Sequence, residues 1–407
     1  MIRPERRTRG DLLAAAAIVA VVALILTAVW WDSSVRSTDF QPGTGTAASP
    51  VAATIVPGVL QQRWTASSGR TSAPVVIGGT VVIGDDRTMA GLDTQTGQQR
   101  WSYARDLALC GVSYVYELAV AVYPDRRGCG QVSGIQAATG HRGPTRTSYA
   151  DDVVVLTSDG AAVLATGATR LELWRSDLVR MLSYGEIDAP VKPVNTKLGN
   201  GCALMSAAGT ETAVGVLEVC KGEQDLRLTL LKPAKEEDEP DTKRVALPGV
   251  PIDAEARVLA VNGTTTAVYL PVPQPQVVVY DDTGTKLSET SAPASPVFGA
   301  VPAVTRAGDL ITWWTGDGVM VFDSTLTFQY TIKGEGPLAP VGPATMMAGR
   351  LLVPVAGGLA VHTTADGTRE RVIPVAHPVG SGPVLPAVAG DTIIEQRDGT
   401  VAGYRPS

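Results

Sequence analysis

Histidine is nearly absent from this chain: 407 residues contain only His141, His362 and His377. There is no CxxC pair, so the cysteines and scattered histidines give no zinc-ligand spacing, and no metal is expected. The GxSxG, HExxH and GxxxxGK(S/T) signatures of nucleophilic, zinc-dependent and phosphate-binding sites are also missing. No catalytic residue is therefore assigned, and a non-enzymatic protein is expected. Beyond residue 31 there is little apolar patterning at helical period. Positive charge is sparse too. The net charge is −6, and because residues 1–10 hold four Arg and one Glu, the remainder carries −9. Such a body argues against nucleic-acid binding, which depends on Lys and Arg at phosphates.

What the chain has in quantity is turn chemistry, with 43 Gly and 28 Pro. The stretch Ala73 to Trp101, APVVIGGTVVIGDDRTMAGLDTQTGQQRW, reads as three short strands and the start of a fourth. Turns fall at Gly78-Gly79, Asp85-Asp86-Arg87 and Thr96-Gly97. One such sheet cannot bury its own faces, so the unit must recur. It does. A Gly or Asp leading into an apolar run opens second strands at Gly79, Asp151-Asp152, Gly308, Gly349 and Gly390, the last three 41 residues apart. Third-strand signals fall at Leu92, Ile135, Leu164, Val279, Val321, Val361 and Gly403, with a weak one at Leu230-Leu231. A generic β-sandwich also alternates strands and turns, but a fixed period with ordered sub-signals favours blades.

The order sPVV-G-x-VVV-DG-x-h-x-LD-x-TG-x-x-x-W resembles the blade repeat of pyrroloquinoline-quinone-type β-propellers, including the BamB-like outer-membrane assembly proteins. Ala73–Trp101 carries it most fully, with Leu92, Asp93, Gly97 and Trp101 as the blade motif, and fragments extend it over roughly residues 60–406. The resemblance implies a propeller that binds a protein partner. Quinoprotein dehydrogenases of that family carry adjacent cysteines beside the quinone. No two cysteines are adjacent here, so no cofactor is expected. The Ala, Val, Gly and Arg excess resembles that of a high-GC bacterium, such as an actinobacterium.

At the N-terminus, Arg3, Arg6, Arg7 and Arg9 precede twenty uncharged residues, Leu12 to Trp31. At 1.5 Å per residue these span about 30 Å, the thickness of bilayer hydrocarbon. Arg6 and Arg7 are expected to stay in the cytoplasm, with Trp30 and Trp31 at the far interface. A cleaved signal peptide would have a shorter apolar run and a small-residue site. The expected layout is a basic tail (1–10), a transmembrane helix (11–31), a disordered tether (32–58) and an extracytoplasmic propeller (59–407).

Gln61-Gln62-Arg63-Trp64 repeats Gln98-Gln99-Arg100-Trp101 without strands before it, while the C-terminus offers three strands and stops. Ring closure resolves both. Gln61, Arg63 and Trp64 should pair with the strand holding Gly403 and Tyr404, removing two open edges. The fold class expected is all-β: one propeller of eight four-stranded antiparallel blades, or seven if a weak repeat does not form one.

Four cysteines allow three pairings. The local one, Cys110–Cys129 with Cys202–Cys220, closes the shortest loops and suits an exported protein, reduced core thiols being the other reading. Lys232 to Arg244 reads as a solvated hairpin loop or a recruitment site. Trp64, Trp101 and Trp174 are expected between blades, and strand alternation should turn one of Trp313 and Trp314 outward or towards a neighbour. Two function classes follow: a membrane-tethered envelope scaffold binding a protein partner, or a sensor or quinoprotein-like protein with a small molecule in the central channel.

Overall fold

The computed structural model describes residues 8–31, 36–187 and 190–406. Arg3, Arg6 and Arg7 lie outside the described residues. The first element is the helix Arg9–Trp31, none of whose side chains is buried. Thr8 and Asp11 start it with a reciprocal cap: Asp11 Oδ2 accepts from the Thr8 N–H at 2.7 Å, and Thr8 Oγ1 from the Asp11 N–H at 3.2 Å.

Eight antiparallel sheets follow. Blades 1 to 7 occupy 75–105, 111–147, 155–185, 202–251, 257–291, 304–333 and 345–373 in turn. Blade 8 combines 385–406 with the strand Leu60–Ser67, which pairs with Thr400–Pro406. The expected closure is therefore present, with Trp64 opposite Gly403 and Gln62 opposite Tyr404. Arg63 Nη2 adds a 3.0 Å hydrogen bond to the carbonyl of Pro406.

The core is divided among the gaps between blades. One buried cluster fills each gap; Trp101, Val112 and Tyr123, for example, lie between blades 1 and 2. The motif tryptophans show how sequence dictates this packing. Trp101 lies opposite Gly91 on the next strand, and Trp64 opposite Gly403. A Cβ at either glycine would collide with the indole. Each indole N–H then donates to a carbonyl of the following blade, Trp101 to Ala137 at 2.8 Å and Trp64 to Thr94 at 3.1 Å. Gly97 holds φ +68° in the turn beneath Trp64, where a side chain would again strike the ring.

Three expectations need correction. Leu164 lies on the second strand of blade 3, Val163–Thr166, and the third is Arg170–Trp174. The Asp151-Asp152 signal precedes the first strand instead. Asp151 is spent on a turn of its own blade, accepting the N–H groups of Thr169 and Arg170 at 2.9 and 3.1 Å.

Part of the stretch expected as a disordered tether is ordered along the ring. Thr38–Gln41 forms a fifth strand on blade 1, against Gln99–Arg105. The chain then hydrogen-bonds to blade 2 through Gly43 and Ala47, meets blade 1 at Gly79 and blade 8 at Gly390, and receives Arg371 of blade 7 on the carbonyl of Val56. This strap is rich in small residues and Pro and lacks periodicity, but exposed strand edges and turns offer its backbone partners.

The charged loop between Asp225–Lys232 and Asp241–Pro251 docks on blade 3 rather than standing in water. Its Asp238 is buried and accepts from the Val191 N–H and from Asn195 Nδ2 at 2.9 Å. Trp313 and Trp314 are both buried, one against Phe298 and Tyr269 beside blade 5, the other donating to the Pro340 carbonyl beside blade 7.

Both disulfides form as the local pairing requires. Cys202 faces Cys220 across adjacent strands, whereas Cys110, just before the first strand of blade 2, is joined to Cys129 on the third. Their sequence separations of 19 and 18 suggest about 3 kcal/mol each from loop-closure entropy. Reduction should therefore lower the denaturation midpoint of the folded protein, and Cys202→Ala/Cys220→Ala should do so in part; an unchanged midpoint in urea would refute this. Trp64→Ala should cost about 3–5 kcal/mol, the range for a buried tryptophan. Deleting 43–52 should cost less than deleting Leu60–Ala66 but should still lower the melting temperature measurably, because Gly43 and Ala47 hydrogen-bond to blade 2.

Candidate functional site: the channel and the buried charge clusters

The first strands of all eight blades line a central cavity of about 660 Å³. That volume is within the range of small-molecule pockets. Its wall is mostly aliphatic, with Val76, Val112, Leu156, Val258 and Met346 among the contributors. Tyr114, Asp159 and Arg306 are its principal ionisable groups. Burial pushes the Tyr114 phenol upward, the charge of Asp159 adds to this, and Arg306 opposes it, so the phenol stays protonated. Asp159 is occupied by its own turn, accepting the Ala161 and Ala162 N–H groups at 2.9 and 2.8 Å. Arg306 donates to Asn262 Oδ1 at 3.1 Å. The channel thus holds neither a free base nor a nucleophile–base pair among the described residues.

The denser chemistry lies between blades. Glu172, on the third strand of blade 3, is nearly inaccessible and faces three guanidinium groups: Arg170, Arg180 at 2.9 Å and Arg146 of blade 2 at 3.2 Å. The Trp174 indole also donates to it at 2.8 Å. Burial alone would raise the carboxyl pKa, but these cations outweigh it and hold the value below the usual carboxylate range. Arg180 extends the network to Glu237 of the blade 4 loop. Glu172 is therefore a strut across blades 2, 3 and 4.

Glu218 in blade 4 is fully buried and accepts from Thr229 at 2.6 Å, Tyr184 of blade 3 at 2.7 Å and Arg227 at 3.0 Å. Burial and this charge push Tyr184 up to about 12. Cys202, Glu218 and Cys220 present ligand atoms within 4.8 Å of one another. Both sulfurs are committed to the disulfide, however, and Arg227 Nη2 lies 2.6 Å from Cys220 Sγ. That set lacks thiolate charge and already holds a cation, so it does not suit a metal ion.

His377 lies in the connection from blade 7 to blade 8. Its Nδ1 is 2.8 Å from buried Glu395, and its Nε2 faces the carbonyls of Val355 and Gly358 at 2.8 and 3.1 Å. Both ring nitrogens face acceptors, an arrangement that favours the imidazolium form, in which both can donate. Burial opposes that charge, but Glu395 and the two carbonyls outweigh it and hold the pKa above the ordinary histidine value. His362 instead is buried in blade 7, with Nδ1 against the Gly367 carbonyl at 2.8 Å and its pKa lowered by burial.

Of the motif residues, Leu92 and Trp101 are core, and Asp93 binds its own turn: Oδ1 accepts from the Thr96 N–H and hydroxyl at 3.0 Å, and Oδ2 from Arg100 at 3.2 Å. These residues build the blade and do not converge on the channel. The buried glutamates and His377 carried no sequence signal, because their partners come from other strands and blades.

No protein-family model matches the chain, and no curated protein matches it in sequence. Solved structures match by shape. A computationally designed protein, Ika8, is 14% identical with a TM-score of 0.53, covering 89% of this chain and 99% of that one. Sqt1 of Saccharomyces cerevisiae is 12% identical with a TM-score of 0.51, covering 87% and 100%. BamB of Moraxella catarrhalis is 15% identical with a TM-score of 0.48, covering 85% and 100%. With 675 solved chains matching, the likeness is one of fold and names no function.

The His377–Glu395 pair gives a signed pH effect. Because the folded pKa is raised, its contribution is full below the unfolded value near 6.5 and is lost as pH rises through the folded value. The stability advantage of the native chain over His377→Asn should therefore shrink between neutral and alkaline pH. Parallel melting curves for the two proteins across that range would refute it.

Proposed function

We propose that this chain is a non-enzymatic, membrane-anchored scaffold of the cell envelope, its propeller outside the cytoplasm and engaged with a protein partner. The observation that carries this reading is how its groups are deployed. The main buried ionic clusters join blades, and apolar side chains are left exposed on the loops. The strap contributes Val51, Ile55 and Val59, and the adjoining turn of blade 2 contributes Tyr116, all exposed. The helix Arg9–Trp31 is long and apolar enough to span a bilayer, and the arginines before it favour a cytoplasmic N-terminus. Two disulfides suit an oxidising compartment.

The channel supports a second reading, a small ligand held by its aliphatic wall with Tyr114 and Arg306 fixing orientation. Photocrosslinking in cells separates the two. A photoreactive residue at Val51, Ile55 or Tyr116 should yield one discrete adduct, and one on the outer strand at Leu287 should not. Absence of adducts at every strap position, with a small molecule co-purifying and lost in Tyr114→Ala, would support the channel instead. A reporter fused after Ser407 should be active only if it requires export; activity of a cytoplasm-only reporter would overturn the topology.

A further inference from the structure

The way the chain enters the ring says which propeller face is turned to the anchor. Each blade's first and third strands run from one face to the other, and the second and fourth return. One face therefore carries the blade-to-blade connections and the turns between second and third strands. The opposite face carries the remaining turns and the strap. The chain reaches the ring at the connection face: the Asp106 N–H donates to the Ser37 carbonyl at 3.0 Å, and Thr38 pairs with Arg105. Little chain separates this point from the helix. The guanidinium of Arg36 lies 3.9 Å from the Trp31 ring centroid and 5.5 Å from that of Trp30. The interfacial tryptophans and the ring are thus joined almost directly, and the connection face cannot stand far from the bilayer.

That face is furnished for such a position. Six of the connections present exposed aliphatic side chains: Leu107, Val153, Val194, Ile252, Val297 and Val379, the last 93% exposed. The connections holding Val297 and Val379, 292–303 and 374–384, contain no Asp, Glu, Lys or Arg. Of the acidic residues elsewhere on this face, Asp106 meets Arg87 at 2.6 Å, Asp125 lies 3.8 Å from Arg127 and Asp151 accepts backbone N–H groups, while Asp85, Asp152, Asp253, Glu255 and Glu335 are exposed to the surroundings. Spaced aliphatic side chains, two connections without Asp, Glu, Lys or Arg and a neighbouring membrane helix together match a surface resting in the headgroup region, with the charged turns at its polar margin.

We infer that the connection face lies against the lipid bilayer, with Val297 and Val379 dipping into it and the strap face directed away. This rests on the helix being a membrane anchor and goes beyond it by assigning an orientation.

The native chain has no free cysteine among its described residues, so single cysteines can be labelled. Val297→Cys, Val379→Cys, Tyr116→Cys and Glu211→Cys would carry an environment-sensitive fluorophore on the full-length protein in phosphatidylcholine nanodiscs. All four positions are exposed, and matching melting temperatures would verify folding. With nitroxide-bearing lipids, labels at 297 and 379 should shift to the blue and lose roughly half of their emission, as groups at the headgroup–acyl boundary would. Labels at 116 and 211 should remain water-like. Water-like emission at 297 and 379 in chains that co-migrate with nanodiscs would overturn the orientation and leave the anchor standing. Quenching at 116 and 211 instead would reverse the face. Chains that do not co-migrate at all would remove both readings. Shielding of 297 and 379 only in native membranes, without nitroxide quenching, would assign the face to a protein and overturn the lipid contact.

Discussion

A four-stranded blade has two faces to cover, and only other blades can cover both. Every other feature of the ring follows from that demand. Apolar area buried between neighbours contributes about 25 cal/mol per Å², so a ring left open at one gap would lose both its packing and its edge pairing there. The gap between blades 8 and 1 contains a small cluster: Trp64, Val81, Leu92, Ile394 and Val401. Hydrogen bonds reinforce it. Gln396 donates to the Thr71 carbonyl at 2.8 Å and accepts from the Thr71 hydroxyl at 3.0 Å. The strap adds a second connection across the same boundary.

The buried glutamates Glu172, Glu218 and Glu395 each bond to groups beyond their own blade. Three arginines around Glu172, Tyr184 and Arg227 on Glu218, and His377 on Glu395 each tie a side chain to one rotamer and one neighbour. Such clusters add little net stability over a well-packed hydrophobic alternative, yet losing one partner strands a charge and costs about 3–5 kcal/mol. Their value lies in fixing how adjacent blades meet. In a fold whose repeats resemble one another, that restricts slippage between blades.

The legible parts of this architecture are those encoded locally or by repetition. Blade count followed from the recurrence seen at Leu92, Val279, Val321 and Val361, and closure from the duplicated QQRW. The disulfides followed from short loop spacing. The phase of blade 3 was lost because Asp151-Asp152-VVV imitates a second strand while its aspartate binds a distant turn. The ordered strap was hidden because its partners are backbone edges and turns, which any composition can use. The glutamate struts were hidden because Arg146, Glu172 and Glu237 are brought together only by folding three blades. Of the site, the sequence showed the absence of familiar motifs but not the aliphatic ring of loops, whose members lie tens of residues apart.

Closure also fixes an order of events in time. The strand Leu60–Ser67 is made well before its partner Thr400–Pro406. Contacts across 343 residues, such as Arg63 to Pro406, must await synthesis of the later strand. Loop closure over such separations is slow and leaves an edge unpaired meanwhile. The blade built from both can therefore form only after residues 400–406 have been made. A chain lacking Thr400–Pro406 would retain most blades yet present an open strand to its surroundings.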